Sequence, residues 1–455
     1  MPSSASPLNS AFVGEIGVAR EELITPVGIY ARNWGAATHD VAEGIHRPLT
    51  VTALALSSSG DAPLILIGLD LGRWRSRDDE WFVRGAVLDA LGLDPARVLI
   101  ALSHTHAGPG VYREDLDKAG GKLIAPFLTA VRDAVVRAAR TALGSCRPAR
   151  LSWRYGRCDL AKNRDRPEAG SSRYIVGYNP ETPADDTLLV GRVEEIASGR
   201  TLAVVVNYAC HPTTLAWQNR LISPDYPGAM RELVEQTTGA TCLFLQGASG
   251  ELAPAEQYVG DTTLADRHGR RLGHAVLSVL ESWPEQALVF DGVVESGAPL
   301  AVFRAEPARS SGLLCAILQP VELTLKPLPS IREIEEQMLQ CTDRALRERL
   351  WRQRGNRLIV GDGTVSSMPL WVWRIGDALL AAQPNEAYSL FQRELRQRFP
   401  QRPVAALNLT NGSAGYLPPQ DHFGRNEYAV WQSPFAQGSL ETVIKTAVAE
   451  ATRML

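Results

Sequence analysis

Cysteine is sparse in this 455-residue chain and shows no pairing pattern. Cys146, Cys158, Cys210, Cys242, Cys315 and Cys341 are scattered, with no C-x-x-C among them. Neither a disulfide lattice nor a cysteine zinc site is expected, and a cytoplasmic location is the simple expectation. Long apolar runs are missing as well. No stretch reaches the roughly 18 residues a membrane-spanning helix needs, so stable membrane insertion is not expected. The opening MPSSASPLNSAFVGEIGVAREELITPVG has no basic segment followed by an apolar one, so no secretory signal is expected. Excess charge of one sign is absent too: 47 Lys+Arg face 50 Asp+Glu, for a net charge of -3. That balance provides no field for a phosphate backbone or an anionic membrane, so no nucleic-acid partner is expected. There is neither a G-x-x-x-x-G-K-[ST] nor a strand-borne G-x-G-x-x-G, which removes the usual nucleotide-binding signals. Repeats and low-complexity linkers are lacking as well. The expected organisation is a loose Ser/Pro-rich stretch at 1–10 and one catalytic-type unit over 11–455, with 288–360 as a possible sub-domain.

What is present is an ordinary globular composition, 45% hydrophobic and 21% charged, long enough to bury a large core without staples. LTVTALAL (49–56) and the PLILIGLDLG run (63–72) read as two strands joined by SSSGDA. Trp81 to Leu91 has helical spacing closed by Gly92, and RVLIALSHTHAGPG is a buried strand running into a Gly/Pro turn. Ile124 to Ala142 reads as a long amphipathic helix, whereas 150–185 reads as irregular. Further strands are expected in TLAVVVNYACHPTT, TCLFLQGASGELAP and the pair within MPLWVWRIGDALLAAQPNEA. Helices are expected at 229–237, 264–282, 330–354 and from Leu440 on. The region 288–325 reads as β-rich and GDGTVSS as a hairpin turn. The alternation points to an α/β fold: a layered mixed sheet with flanking helices and a metal site at the strand carboxyl ends.

Several apolar strands end in a short turn that carries a metal-ligating or proton-moving residue. In SHTHAGPG, His104 and His106 lie two apart at a strand end, which on the strand period turns both imidazoles to one face and suits zinc. His211 in NYACHPTT alone reads as a structural residue; with the first motif in the same chain it becomes a second candidate ligand. FLQGASGELAP forces a tight path through Gly247, Gly250 and Pro254, with Ser249 and Glu251 as its strong polar side chains. Glu386 in AAQPNEAY follows a strand and begins a helix. There it serves either as a cap or as the oxygen donor completing a His/His/Glu zinc site with one open position. Tyr416 sits in NGSAGYLPP. His268 and His274 fall in a predicted helix and are discounted, and His422 is a possible neighbour of Tyr416.

Taken together, SHTHAGPG, NYACHPTT followed by LISPDYPG, QGASGELAP, QPNEA, and GYLPP with a tyrosine twelve residues later resemble the catalytic domain of the neutral/alkaline ceramidases. EGIHRPLTVTALAL and LILIGLDLG resemble that family's opening. The motifs run in order from about residue 14 to about residue 435. The resemblance implies a zinc-dependent amidase fold with His104, His211, Glu386 and Tyr416 on the Zn2+. It also implies His106 as a nearby catalytic imidazole, Arg164 (with Arg166 close by) as an anion- or carbonyl-facing arginine, and Tyr428 as a second active-site tyrosine. Its expected reaction is hydrolysis of an amide in a small-molecule, acylated substrate by a metal-activated water. Three departures accompany it. Ala253 stands where the family carries a serine before the proline of the third motif. No C-terminal immunoglobulin-like domain is expected, and no secretory signal. A smaller or more polar amide than a sphingolipid is therefore expected. Two other readings stay open: a zinc-dependent esterase or lactonase, since the same chemistry serves an ester, and a non-catalytic ligand-binding relative.

Overall fold

The computed structural model describes residues 10–283, 287–306 and 309–455; the loose stretch expected at 1–10 falls almost wholly outside them. Its largest sheet uses eight long strands: β1 (Ser10–Leu23), β2 (Leu49–Ser57), β3 (Leu64–Leu69), β4 (Val98–Leu102), β5 (Arg147–Arg157), β6 (Thr187–Glu195), β7 (Thr201–Tyr208) and β8 (Thr241–Gln246). They lie in the order β8-β7-β6-β5-β1-β2-β3-β4, and the short strand Arg309–Ser311 adds to the start of β1. The β3–β4 and β7–β8 pairs and the short strand on β1 are parallel and the others antiparallel, so the sheet is mixed. A second sheet follows the order β9 (Leu314–Thr324), β10 (Val365–Ile375), β11 (Ala378–Ala382) and β12 (Val404–Leu407).

The helices are α1 (Arg77–Leu91), α2 (Ile124–Gly144), α3 (Tyr226–Thr238), α4 (Thr262–Glu281), α5 (Ile331–Gln340), α6 (Arg344–Val360), α7 (Leu390–Arg398), α8 (Tyr428–Gln432) and α9 (Ser439–Arg453). None is long and apolar enough to cross a membrane. Their boundaries follow local chemistry. Ser76 caps α1 by accepting from the N–H groups of Asp78 and Asp79, and Gly92 closes it in the left-handed region.

The expected layered sheet with flanking helices is present, but doubled into four layers. Val51, Ala53, Ile65, Ile67 and Ile100 pack against α1 and α2, while Leu54, Leu66, Leu99 and Leu151 face Trp371, Trp373, Leu380 and Leu407 of the second sheet. Both faces of β2 to β4 are buried, which is why these segments read as continuous apolar runs rather than alternating ones. The far face of β6 to β8 carries α3 and α4, and the outer face of the second sheet carries α7 and α9. The indole N–H groups of Trp371 and Trp373 donate to the carbonyls of Pro95 and Ala96, tying the two sheets beside β4. Burying side chains of this kind contributes about 1.5–3 kcal/mol each.

Four sequence expectations need correction. Residues 150–185 are not wholly irregular, since β5 reaches Arg157; Ala149, Leu151 and Trp153 alternate there with Arg150, Ser152 and Arg154, and Arg154 lies over Trp283. The single helix expected at 330–354 is two, because Cys341 and Asp343 turn extended and Asp343 caps α6. GDGTVSS is not a hairpin: Gly361 closes α6 and the chain runs directly into β10. β1 was not expected at all. Within the 288–360 stretch, Ala287–Glu295 and Pro299–Glu306 form a separate antiparallel hairpin, whereas β9 is an edge of the second sheet.

Candidate active site

The chain segments that leave β4, β7, β8, β11 and β12 meet in one buried cluster. His104, two residues beyond β4, has φ +68. Its N–H donates to the Leu71 carbonyl and its Nδ1 lies 2.7 Å from the Gly72 carbonyl oxygen. A carbonyl only accepts, so Nδ1 carries the proton and Nε2 turns a lone pair into the cluster. His211, three residues beyond β7, is held the same way, its Nδ1 2.6 Å from the Ser249 carbonyl oxygen. Carbonyl partners of this kind fix the tautomer and orientation of metal-binding histidines. Glu386 and Tyr416 are brought side by side by a two-residue parallel ladder, Glu386–Ala387 with Tyr416–Leu417. The Glu386 Oε2 lies 3.0 Å from Nε2 of His211 and 3.4 Å from Nε2 of His104. Two imidazole lone pairs facing a carboxylate at these distances repel unless a cation lies against all three. The donor set therefore fits a divalent metal that takes nitrogen and oxygen ligands.

His106 completes a group of three imidazoles whose ligand nitrogens lie within 4.8 Å of one another. Its Nε2 is 3.4 Å from that of His104, and its ring packs on Trp34 with centroids 5.2 Å apart. The strand period does not produce this convergence, because β4 ends at Leu102 and the positive φ of His104 breaks the alternation. Burial, followed by the neighbouring imidazoles, holds His106 well below the usual histidine range. Burial and then the Arg164 guanidinium hold His211 down to about 3. Both are neutral at pH 7.

The Tyr416 ring stacks on His211 with centroids 6.4 Å apart. Burial and the Glu386 carboxylate push its phenol well above the usual tyrosine value. Arg164 donates to the Tyr416 oxygen at 3.0 Å and, through Nε and Nη2, to the Gly250 carbonyl at 3.1 and 2.7 Å. Arg164 thus joins the third motif to Tyr416 and is not part of the cavity wall. Tyr428 opens α8, and its oxygen accepts from Arg352 Nη1 at 2.9 Å. That leaves its own O–H to donate into the cavity lined by His104, His106, Glu386 and Tyr416.

Other candidates have different places. The Ser249 hydroxyl accepts from Gln246 Nε2 at 2.7 Å, and only its carbonyl serves His211. Glu251 accepts from the Ser389 N–H through both oxygens, at 3.0 and 2.9 Å; burial pushes its carboxyl up to about 7. Glu386 does not begin a helix, since α7 starts at Leu390. Ala253 is buried in the short strand Leu252–Pro254, paired with Ala161–Asn163. His422 joins Asp165 and Glu427 in a separate group, with Nδ1 2.8 Å from Glu427 Oε2. His268 bonds the Glu256 carbonyl from within α4, and His274 is exposed.

No protein-family model matches the chain. A neutral ceramidase of Mycobacterium tuberculosis is 28% identical over 236 residues, 46% of this chain and 36% of that protein. A neutral ceramidase of Pseudomonas aeruginosa is 28% identical over 170 residues, 35% of this chain and 25% of that protein. The chain is similar in sequence to the neutral ceramidases. The match is partial, spanning about a third and a quarter of those two relatives' own lengths. The crystal structure of the neutral ceramidase from Pseudomonas aeruginosa aligns at a TM-score of 0.65 and 17% identity, over 99% of this chain and 74% of its own. A structure of a ceramidase complexed with C2 aligns at 0.65 and 15%, over 98% and 76%. The four-layer fold is thus that of the neutral ceramidase structures.

Sequence reasoning missed all three cavity arginines, Arg73, Arg75 and Arg352. Arg73 and Arg75 follow β3 in GLDLGRWRS, a strand end with no histidine or carboxyl cluster to draw notice. Arg352 lies on α6, which carries six arginines and one glutamate in a chain of net charge -3. That local excess was the available signal.

Proposed function

We propose that this protein is a metal-dependent amidohydrolase that cleaves the C–N bond of an N-acyl-type amide, with zinc held by His104, His211, Glu386 and Tyr416. The observation that carries this reading is the meeting of two carbonyl-anchored imidazoles with the Glu386 carboxylate beside a cavity. The relationship to neutral ceramidases supports it. When bound, the metal supplies a Lewis acid and lowers the pKa of a water to about 7, so Ala253 at the family's serine position does not remove the nucleophile.

The chain's own residues do the rest. His106, neutral and beside His104, takes a proton at Nε2 and delivers it to the departing amine. Tyr428 donates its O–H to the developing oxyanion, and Arg352 fixes the phenol by donating to its oxygen. Arg164 is a positioning residue that holds Tyr416 against Glu386.

The test combines metal analysis with turnover. The parent protein is expected to contain about one zinc per chain and to hydrolyse N-acyl fluorogenic amides faster than matched esters. His104→Ala and His211→Ala are each expected to lose metal and at least about 100-fold in activity together. Full zinc retention in either variant sinks the ligand assignment. Preference for the esters moves the activity to the esterase reading.

A further inference from the structure

The cavity that holds the imidazoles also has cationic lining. Arg73, Arg75 and Arg352 line it, and Glu386, already committed to the imidazoles, is the only carboxylate residue in the same lining. Two of these guanidiniums are occupied by protein. Arg75 pairs with Asp115 at 3.4 Å and lies 4.1 Å from the Trp351 ring centroid. Arg352 is held by Glu348, the Asn33 carbonyl and the Tyr428 oxygen. Arg73 differs. Among the described residues its guanidinium makes no hydrogen bond or ion pair, and its charged neighbours are Arg75, Arg352 and Glu386. Burial, followed by the like charge of Arg352, pulls its pKa down against the opposing pull of the Glu386 carboxylate.

The excess extends outward. Arg32, Lys118, Arg344 and Arg347 line a neighbouring groove that shares Trp351 with the wall behind Arg73 and Arg75. Arg73 is half-buried in the cavity lining, and a guanidinium that faces a cavity without a protein partner adds nothing to the stability of the fold. A binding site has a use for one: a fork of N–H donors matches the paired oxygens of a carboxylate or phosphate.

We propose that the substrate is an anionic amide, whose carboxylate or phosphate is received by Arg73 in the cavity that also holds His106 and Tyr428. This rests on the amidohydrolase reading and narrows its substrate class. It separates the chain from any enzyme built for an uncharged lipid amide, where a free guanidinium beside the scissile bond would oppose binding.

The experiment uses the zinc-loaded protein and four amides of one acyl length. N-acylglycine and N-acylphosphoethanolamine carry the anion on the amine, an N-succinyl amine carries it on the acyl part, and N-acylethanolamine is neutral. Calorimetric affinity and kcat/KM are read for each. At least one anionic amide is expected to exceed the neutral one by about tenfold or more, and the advantage is expected to shrink as salt rises. Arg73→Met is expected to erase that ratio and Arg73→Lys to keep part of it. Arg332→Met, on the exposed face of α5, is expected to keep all of it. Equal affinity and turnover for charged and neutral amides, or an unchanged ratio in Arg73→Met, overturns the proposal while hydrolysis itself stands. If no amide is hydrolysed, the amidohydrolase reading falls, and the affinity ratio in the parent and Arg73→Met still decides whether the cavity selects anions.

Discussion

His104 sits at φ +68, in a backbone region that costs a non-glycine residue about 1–3 kcal/mol. The surrounding bonds offset that cost, with the N–H on Leu71 and the ring on Gly72, and the result is an imidazole aimed where a regular strand would not send it. Residue chemistry also settles the place of Ser249. Its carbonyl orients His211 and its hydroxyl is spent on Gln246, which also donates to the Cys210 carbonyl. Ser249→Ala is therefore expected to lower stability by about 1 kcal/mol and to leave kcat near the parent value. A collapse of kcat with the melting curve intact would point to a serine nucleophile.

At the scale of elements, the site depends on how closely three turns approach one another. A Cβ on Gly250 would lie 2.6 Å from the Tyr388 ring and 2.9 Å from the Glu386 carbonyl, so only glycine lets the third motif lie on the segment that carries Glu386. Gly250→Ala is expected to shift that carboxylate and lower kcat/KM by about 100-fold; unchanged kinetics would show that the contact does not position Glu386. The same kind of contact explains what the sequence hid. β1 carries Gly14, Gly17 and several charges, which disguise a central strand. Yet a Cβ at Gly17 would meet the Ala142 carbonyl at 2.0 Å, because α2 lies directly on it. Strands buried on both faces, and helices with a cap at one end and a glycine at the other, were legible. The ladder joining Glu386 to Tyr416 and the turn that carries His104 were not, since each depends on partners far away in the chain. The Arg-rich α6 was legible as charge, but its facing a cavity was not.

For the whole molecule, the proposed ligands come from both sheets of the sandwich: His104 and His211 leave the larger one, while Glu386 and Tyr416 lie beyond strands of the smaller. A bound ion would therefore add a brace between two layers that already meet through apolar packing, the two indole bonds, and the bonds of Asn207 and Tyr155 to the backbone of β12. Chelation is expected to lower the melting temperature by several degrees and to lessen cooperativity, as read by calorimetry with and without added zinc. An identical transition after verified metal removal would mean that the cluster carries no structural load.

The spread of those side chains along the sequence has a consequence for biosynthesis. His104 leaves the ribosome long before Tyr416, by on the order of tens of seconds at ordinary translation rates. During that interval the early strands and their two histidines have no second sheet to close over them. The proposed metal centre can be finished only after synthesis is nearly complete, so an unfinished or prematurely released chain is expected to lack it however well its first half has folded.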